Sequence, residues 1–306
     1  MPRIKYEDKT FRSSTLALIE IVNQIVEEYS TQGYDLTLRQ VYYQCVSRDI
    51  IPNNEKSYDK LGRIVGDARM AGLIDWKAIV DRTRTLRGNS HWRAPTEIML
   101  SAAESFAIDK WSKEYGQDFR PEVWVEKDAL VGVVGRVCEE LDVSYFSCRG
   151  YTSLSEMWAA SQRLLNHRRQ GQTPFVIHLG DHDPSGMDMS RDITDRLEIF
   201  TKRSLEFERI ALNTDQVQQY NPPPNPAKLS DSRATGYITR FGYESWELDA
   251  LNPNVIAGLI RRAVLSCRND KAWDQAVKYE KGHIKELKAA AKHWQTHVVP
   301  AIKGLK

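Results

Sequence analysis

The chain has 306 residues and a formal net charge of +2, long enough for two ordinary domains but too nearly neutral to be coated in basic charge, so any surface for nucleic acid must be local. Its four cysteines, Cys45, Cys138, Cys148 and Cys267, form no Cys-x-x-Cys pair, which argues against a zinc site or a disulfide framework and fits a reducing interior. No apolar run approaches the ~18 residues of a membrane span, and the first residues lack the apolar core of a signal peptide, so a cytoplasmic protein without a membrane partner is expected.

Ile19, Val22, Val26 and Tyr29 recur at steps of three and four, predicting an amphipathic helix over 15–30 that Gly33 ends. Thr37-Leu38-Arg39-Gln40 has the form of a capping box and predicts a second helix. At about 100° per residue, Leu38, Val41, Tyr42 and Cys45 share an apolar face, while Tyr43 lies off it beside Arg39. Tyr42 is thus expected in the core and Tyr43 at the surface. A phenol with a pKa near 10 is a poor nucleophile unless activated, so an exposed tyrosine alone signals no chemistry.

A third helix is predicted over 57–72, with Tyr58, Leu61, Ile64, Val65 and Ala68 inside and Lys60, Arg63 and Arg69 outside. Leu73 to Trp76 and then the basic run Asp81-Arg82-Thr83-Arg84-Thr85-Leu86-Arg87-Gly88 complete a winged-helix pattern. Lys60, Arg63 and Arg69 would then face a DNA groove and Arg82, Arg84 and Arg87 the phosphates. The alternative is a solvated charged face, partly neutralised by Asp59, Asp67 and Asp81. Residues 94–115 read as helical, and Gly116 to Pro121 break the pattern as a domain boundary.

From Glu122 the pattern alternates. Strands are predicted at 122–126, 143–147, 174–180 and 206–212, and helices at 128–141, 153–170 and 185–200. This implies a mainly parallel sheet covered on both faces. Residues 221–226, Asn-Pro-Pro-Pro-Asn-Pro, read as a stiff connector. Two long helices, over 253–268 and 271–296, then form a solvated or partner-binding cover. The expected segmentation is an N-terminal helical, winged-helix part over 1–115, an α/β part over 121–220 and a helical extension over 227–306.

Two predicted strands stop on acids. Glu126 ends the first, and Asp181-His182-Asp183-Pro184-Ser185-Gly186 follows the third. Side chains at i and i+2 of an extended segment point the same way, so Asp181 and Asp183 can converge. Carboxylates that close must gain a proton or share a cation. In open parallel sheets functional groups collect at the carboxyl ends of strands, and three hard oxygen donors there suit Mg²⁺. The plainer reading has Asp183 capping a helix that starts at Pro184, with Asp181 solvated. Arg149 and Ser153, at the same sheet end, could meet phosphate, although Ser153 could equally cap the next helix. Glu247 and Asp249 read first as acids stabilising a helix start, and otherwise as additional metal ligands.

A glutamate ending one strand and an Asp-x-Asp ending a later one resembles the Toprim domain of topoisomerases, primases and several nucleases. The form Asp181-x-Asp183-Pro184-x-Gly186 is similar to the branch containing the A subunit of topoisomerase VI and the meiotic double-strand-break transesterase. Arg39-Gln40-Val41-Tyr42-Tyr43 resembles that family's nucleophile segment, in which an arginine precedes the catalytic tyrosine by four residues. The resemblance implies a Rossmann-like Toprim fold after the winged helix, with Glu126, Asp181 and Asp183 as the Mg²⁺ ligands and Mn²⁺ able to substitute. It implies Tyr43 as the nucleophile, with Arg39 holding the scissile phosphate or lowering the phenol's pKa. It also implies double-stranded DNA as substrate and a homodimer in which one subunit's tyrosine meets the other's metal site. Lys127, not expected after the glutamate in the best-known family members, is a further site candidate. No ATPase motif is present, so an ATP-driven cycle would need a separate subunit. Two rival expectations are a hydrolytic Toprim nuclease that does not use Tyr43 and a winged-helix DNA-binding protein that cleaves nothing.

Overall fold

The computed structural model describes residues 3–80 and 90–304. Its elements run in the order of the prediction. Helices α1 (Ser13–Thr31), α2 (Leu38–Ser47), α3 (Glu55–Met70) and α4 (Pro95–Ser105) precede the first strand, β1 (Phe119–Val125). Then come α5 (Val131–Leu141), β2 (Ser144–Ser147), α6 (Leu154–Arg169), β3 (Thr173–Leu179), α7 (Pro184–Thr201) and β4 (Glu206–Ala211). After them lie α8 (Thr214–Tyr220), β5 (Asn225–Pro226), α9 (Ala234–Phe241), β6 (Glu244–Ser245), α10 (Pro253–Ser266), α11 (Asp270–His293) and α12 (Val299–Gly304). Among the described residues no helix is long and apolar enough to cross a membrane.

The chain divides into two compact units. The larger takes Met1–Arg84, Pro121–Asn166 and Pro174–Ser266, and the smaller Thr85–Arg120, His167–Thr173 and Cys267–Lys306. Helices α1 to α3 therefore share a unit with the sheet, whereas the expected segmentation placed them with residues up to 115.

In the larger unit the sheet order is β2-β1-β3-β4, with β1 parallel to β2 and β3 parallel to β4. Val123, Trp124 and Val125 of β1 and Val176, Ile177 and Leu179 of β3 are all fully buried. Such unbroken apolar runs, rather than alternation, mark strands covered on both faces. Met157, Ala160 and Leu164 of α6 and Ile193 and Leu197 of α7 pack with Trp124 and Val176 on one face. On α6, Arg163 grips Glu122 of β1 through two bonds of 2.8 and 2.9 Å. Helices α5 and α10 pack together, α5 beside β2 and α10 beside β4. Each fully buried aliphatic side chain contributes about 1.5–3 kcal/mol, so this double cover is what holds the ends of β1 and β3 in place.

Helices α1 to α3 form a second core, with Val22 and Ile25 of α1, Val41 and Cys45 of α2, and Leu61 and Ala68 of α3 fully buried. The capping box is present: Gln40 N donates to Thr37 Oγ1 at 3.3 Å, and Thr37 N to Gln40 Oε1 at 2.9 Å. Ala250, far along the chain, belongs to the same core. Tyr29 and Asn252 bond at 3.1 Å, and Tyr29 donates to Gln44 at 2.8 Å.

The smaller unit has its own ties. Trp111 and Trp273 approach to 5.4 Å between ring centres, and Lys110 pairs with Glu280 at 2.9 Å. Helix α4 stops at Ser105, shorter than the expected 94–115, because Phe106 turns extended (ψ 120°) and Ile108 N donates to Glu280 Oε2 at 2.9 Å instead of continuing the helical ladder. The proline-rich connector is not wholly irregular: Asn225–Pro226 pairs antiparallel with Glu244–Ser245 in the larger unit.

Candidate active site

At the carboxyl ends of β1 and β3 the chain turns abruptly. Asp181 Oδ1 accepts from Leu248 N at 2.8 Å, and Asp183 Oδ1 accepts from Gly186 N at 2.6 Å as the N-cap of α7, with Pro184 in the first turn. The capping reading of Asp183 is therefore realised. Gly186 is required by close approach, because a Cβ there would lie 2.3 Å from the Asp181 carbonyl oxygen.

What joins Asp181 is not the neighbouring strand's acid. His182 forms an antiparallel bridge with Trp246, His182 N donating at 2.8 Å and Trp246 N at 2.9 Å. That bridge delivers Glu247 and Asp249 to the sheet end. Among the described residues, Asp181, Glu247 and Asp249 form a group whose ligand oxygens lie within 4.8 Å of one another and which could hold a metal ion. Asp249 is 1% exposed and Asp181 5%. Glu126 is placed differently: its Oε2 accepts from Asp181 N at 2.8 Å, so it braces the loop that carries Asp181. Burial and then the charge of Asp183 raise the Glu126 pKa, against the pull of the Asp181 amide.

Two cations face the three acids. Lys127 Nζ lies 2.9 Å from Asp181 Oδ2 and 3.0 Å from Asp249 Oδ1, and also bonds Glu247 Oε2. Arg39 of α2 donates through Nε to Asp249 at 2.9 Å and through Nη2 to Glu247 at 2.7 Å. Burial pushes the Asp181 carboxyl well up, with Lys127 opposing it. For Glu247 the balance reverses, since Lys127 and Arg39 together outweigh burial and lower its pKa. Burial acts to lower Lys127, but Asp249, Asp181 and Glu247 overcome it and hold the ammonium charged.

The same arginine reaches the tyrosine. Arg39 Nη2 lies 3.3 Å from the Tyr43 hydroxyl, and its guanidinium carbon sits 5.5 Å from the Tyr43 ring centre. Tyr43 is 4% exposed, as is Tyr42, which corrects the expectation of a surface Tyr43. The helical wheel places Tyr43 off the apolar face correctly, but Leu248–Ala250 pack on that second side of α2. Arg39 does act to lower its pKa as expected, but the net shift is upward. Burial, aided by Asp249 and Glu247, outweighs Arg39 and Lys127 and pushes the phenol up to about 12.

The remaining candidates scatter. Lys60 and Arg63 are exposed on α3. Arg69 is half-buried and donates to the carbonyls of Trp76, at 3.2 Å, and Ile79, so it ties α3 to the following segment. Arg82, Arg84 and Arg87 lie outside the described residues. Arg149 is exposed and pairs with Asp128 at 3.2 Å. Ser153 Oγ accepts from Glu156 N at 3.2 Å, the plain capping role.

One contributor was missed entirely. Arg209 of β4 donates to the carbonyls of Asp181 (2.6 Å), Gly180 (2.9 Å) and Gly186 (3.0 Å) and to Ser190 Oγ at 2.6 Å. It fixes the acid loop from behind. Its edge strand also carries Glu206 and Glu208, so nothing local singled the arginine out. No protein-family model, curated protein or solved structure matches this chain.

Proposed function

We propose that the protein cleaves DNA strands with a divalent metal ion, Mg²⁺ or Mn²⁺, held by Asp181, Glu247 and Asp249. One observation carries this reading: three carboxylates from two distant segments converge on a lysine ammonium at the carboxyl ends of parallel strands, beside a tyrosine held by an arginine. The donor set fits the ion, because all three ligands are hard oxygens and already surround a cation. Bound there, the metal would act as a Lewis acid on a phosphoryl oxygen.

The chain's own residues supply the rest. Arg39 presents planar donors that suit a phosphate and fixes the Tyr43 hydroxyl. Tyr43 attacks phosphorus, forming a phosphotyrosyl bond as the P–O bond to the leaving deoxyribose oxygen breaks. Glu247, which accepts from the same Arg39 Nη2 that lies 3.3 Å from the phenol, is the proposed acceptor of its proton. Lys127 can protonate the leaving oxygen. The nucleophile and the acids meet within one chain, so the proposed homodimer is not needed to bring them together. A separate ATPase subunit remains the proposed route to any ATP-driven cycle.

A second reading, hydrolysis by water without a covalent adduct, is favoured by one specific observation, the burial of Tyr43 with its phenol pushed up to about 12. Incubating supercoiled plasmid with Mg²⁺ or Mn²⁺, quenching in SDS and running the products with and without protease separates the two. Protein-linked breaks that vanish in Tyr43→Phe support the transesterase. Protein-free breaks that survive Tyr43→Phe support hydrolysis. Asp181→Asn should abolish breaks of either kind while duplex binding persists, and breaks undiminished in Asp181→Asn would refute the metal site.

A further inference from the structure

Helix α11 carries a pattern that the cleavage site does not use. Lys278, Lys281, Lys285, Lys288 and Lys292 follow one another at steps of three, four, three and four. At about 100° per residue all five fall within an arc of about 80°, and at about 1.5 Å per residue they span about 21 Å of helix. All five are exposed. None pairs with a carboxylate among the described residues. The two acids in the same stretch are engaged elsewhere, Glu280 with Lys110 and Glu286 with His283 at 3.0 Å.

The other side of the helix is occupied. Trp273 meets Trp111, His283 lies 6.0 Å from Phe106 and Ala291 is fully buried. An amphipathic helix binds a bilayer through a continuous free apolar face, and here Trp273, His283 and Ala291 are engaged within their own unit, which leaves only Tyr279 and Leu287 of its large apolar side chains exposed. Gly282 and Ala289 border one edge of the lysine stripe, so no bulky side chain rises on that edge. No aromatic residue is interleaved in the stripe, and base stacking is not its mode. A straight, unpaired row of point charges, without bidentate or stacking groups, matches the sequence-independent way in which proteins meet phosphates.

We propose that this lysine face is a track for the phosphate backbone of duplex DNA. The choice of duplex DNA among anionic partners rests on the DNA-cleavage reading of the active site.

The test is fluorescence anisotropy of the full chain with a labelled duplex of about 20 base pairs in EDTA, across about 50 to 200 mM salt. In the triple variant Lys281→Gln, Lys285→Gln, Lys288→Gln, the slope of log affinity against log salt should become shallower by about 2.7, at about 0.9 for each phosphate no longer neutralised. A charge-matched control, Lys202→Gln, Arg203→Gln, Lys228→Gln, should retain the wild-type slope. An unchanged slope in the α11 variant, or an equal change in the control, overturns the proposal. So does retained duplex binding with lost flotation on phosphatidylserine vesicles, which would assign the stripe to anionic lipid. Because EDTA removes cleavage from this measurement, a failure of the track leaves the plasmid assay standing, and a plasmid assay without breaks leaves the slope change to be read on its own.

Discussion

Replacing Lys127 with methionine should destabilise the protein in EDTA and make its stability unusually responsive to divalent cations. Methionine keeps most of the lysine stem and removes only the charge. The ammonium is 2.9 Å from Asp181 and 3.0 Å from Asp249, whose side chain is 0% exposed. Without Lys127, Glu247 and Asp249 would keep only Arg39 and Asp181 would lose its ammonium partner, and breaking a buried pair by removing one partner costs about 3–5 kcal/mol. At roughly 2 °C per kcal/mol for a chain of this size, Tm should fall by about 6–10 °C. A divalent ion could then take the vacated place without competing with an ammonium. Its stabilisation follows RT ln(1 + [L]/Kd), about 2.7 kcal/mol at a hundredfold excess over Kd. Urea unfolding of wild type and Lys127→Met, each in EDTA and in Mg²⁺ or Mn²⁺, measures both effects. A variant within about 1 kcal/mol of wild type in EDTA, or no stabilisation of either protein by the cation, would refute the assignment of this group as a cation site.

Tyr43→Phe should change stability by no more than about 1 kcal/mol, because the hydroxyl's polar contact is a long 3.3 Å approach from Arg39. A larger loss by urea unfolding would show that the hydroxyl is structural and would spoil the variant as a probe of chemistry. His178 is fully buried, and burial followed by the charge of Arg209 lowers its pKa to about 3. The unfolded chain binds a proton there below about pH 6.5 while the folded chain does not, so this group's contribution falls as pH drops from about 6.5 toward 3. Between about pH 6.5 and 5 the loss should be about 2 kcal/mol. It should be absent in His178→Gln, and identical pH slopes in the two proteins would contradict the assignment.

The strands and the helices between them were legible because burial on both faces writes itself as unbroken apolar runs, as in Val123-Trp124-Val125 and Val176-Ile177. The cap at Thr37 and the one at Asp183 were legible for the same kind of reason, since each is a local hydrogen bond between residues three apart. Half of the site was legible only as the second of two readings. Asp181 is marked by its place after a strand, but its partners Glu247 and Asp249 lie more than sixty positions away and reach it through the His182–Trp246 bridge. Nothing in their own neighbourhood distinguishes them from ordinary acids ahead of a helix. Tyr43 shows the same limit, because the helical wheel sees one packed face of α2 and the second depends on residues 248–250.

The His182–Trp246 bridge also fixes when the site can exist. A growing polypeptide that has reached β4 at Glu206–Ala211 already holds every strand of the main sheet, but of the three grouped acids it carries only Asp181. Until Asp249 has left the ribosome, Lys127 and Arg39 lack most of their counter-charge and the tyrosine lacks its cover. Assembly of the acid group and its cover over Tyr43 is thereby deferred until well after the sheet itself is complete.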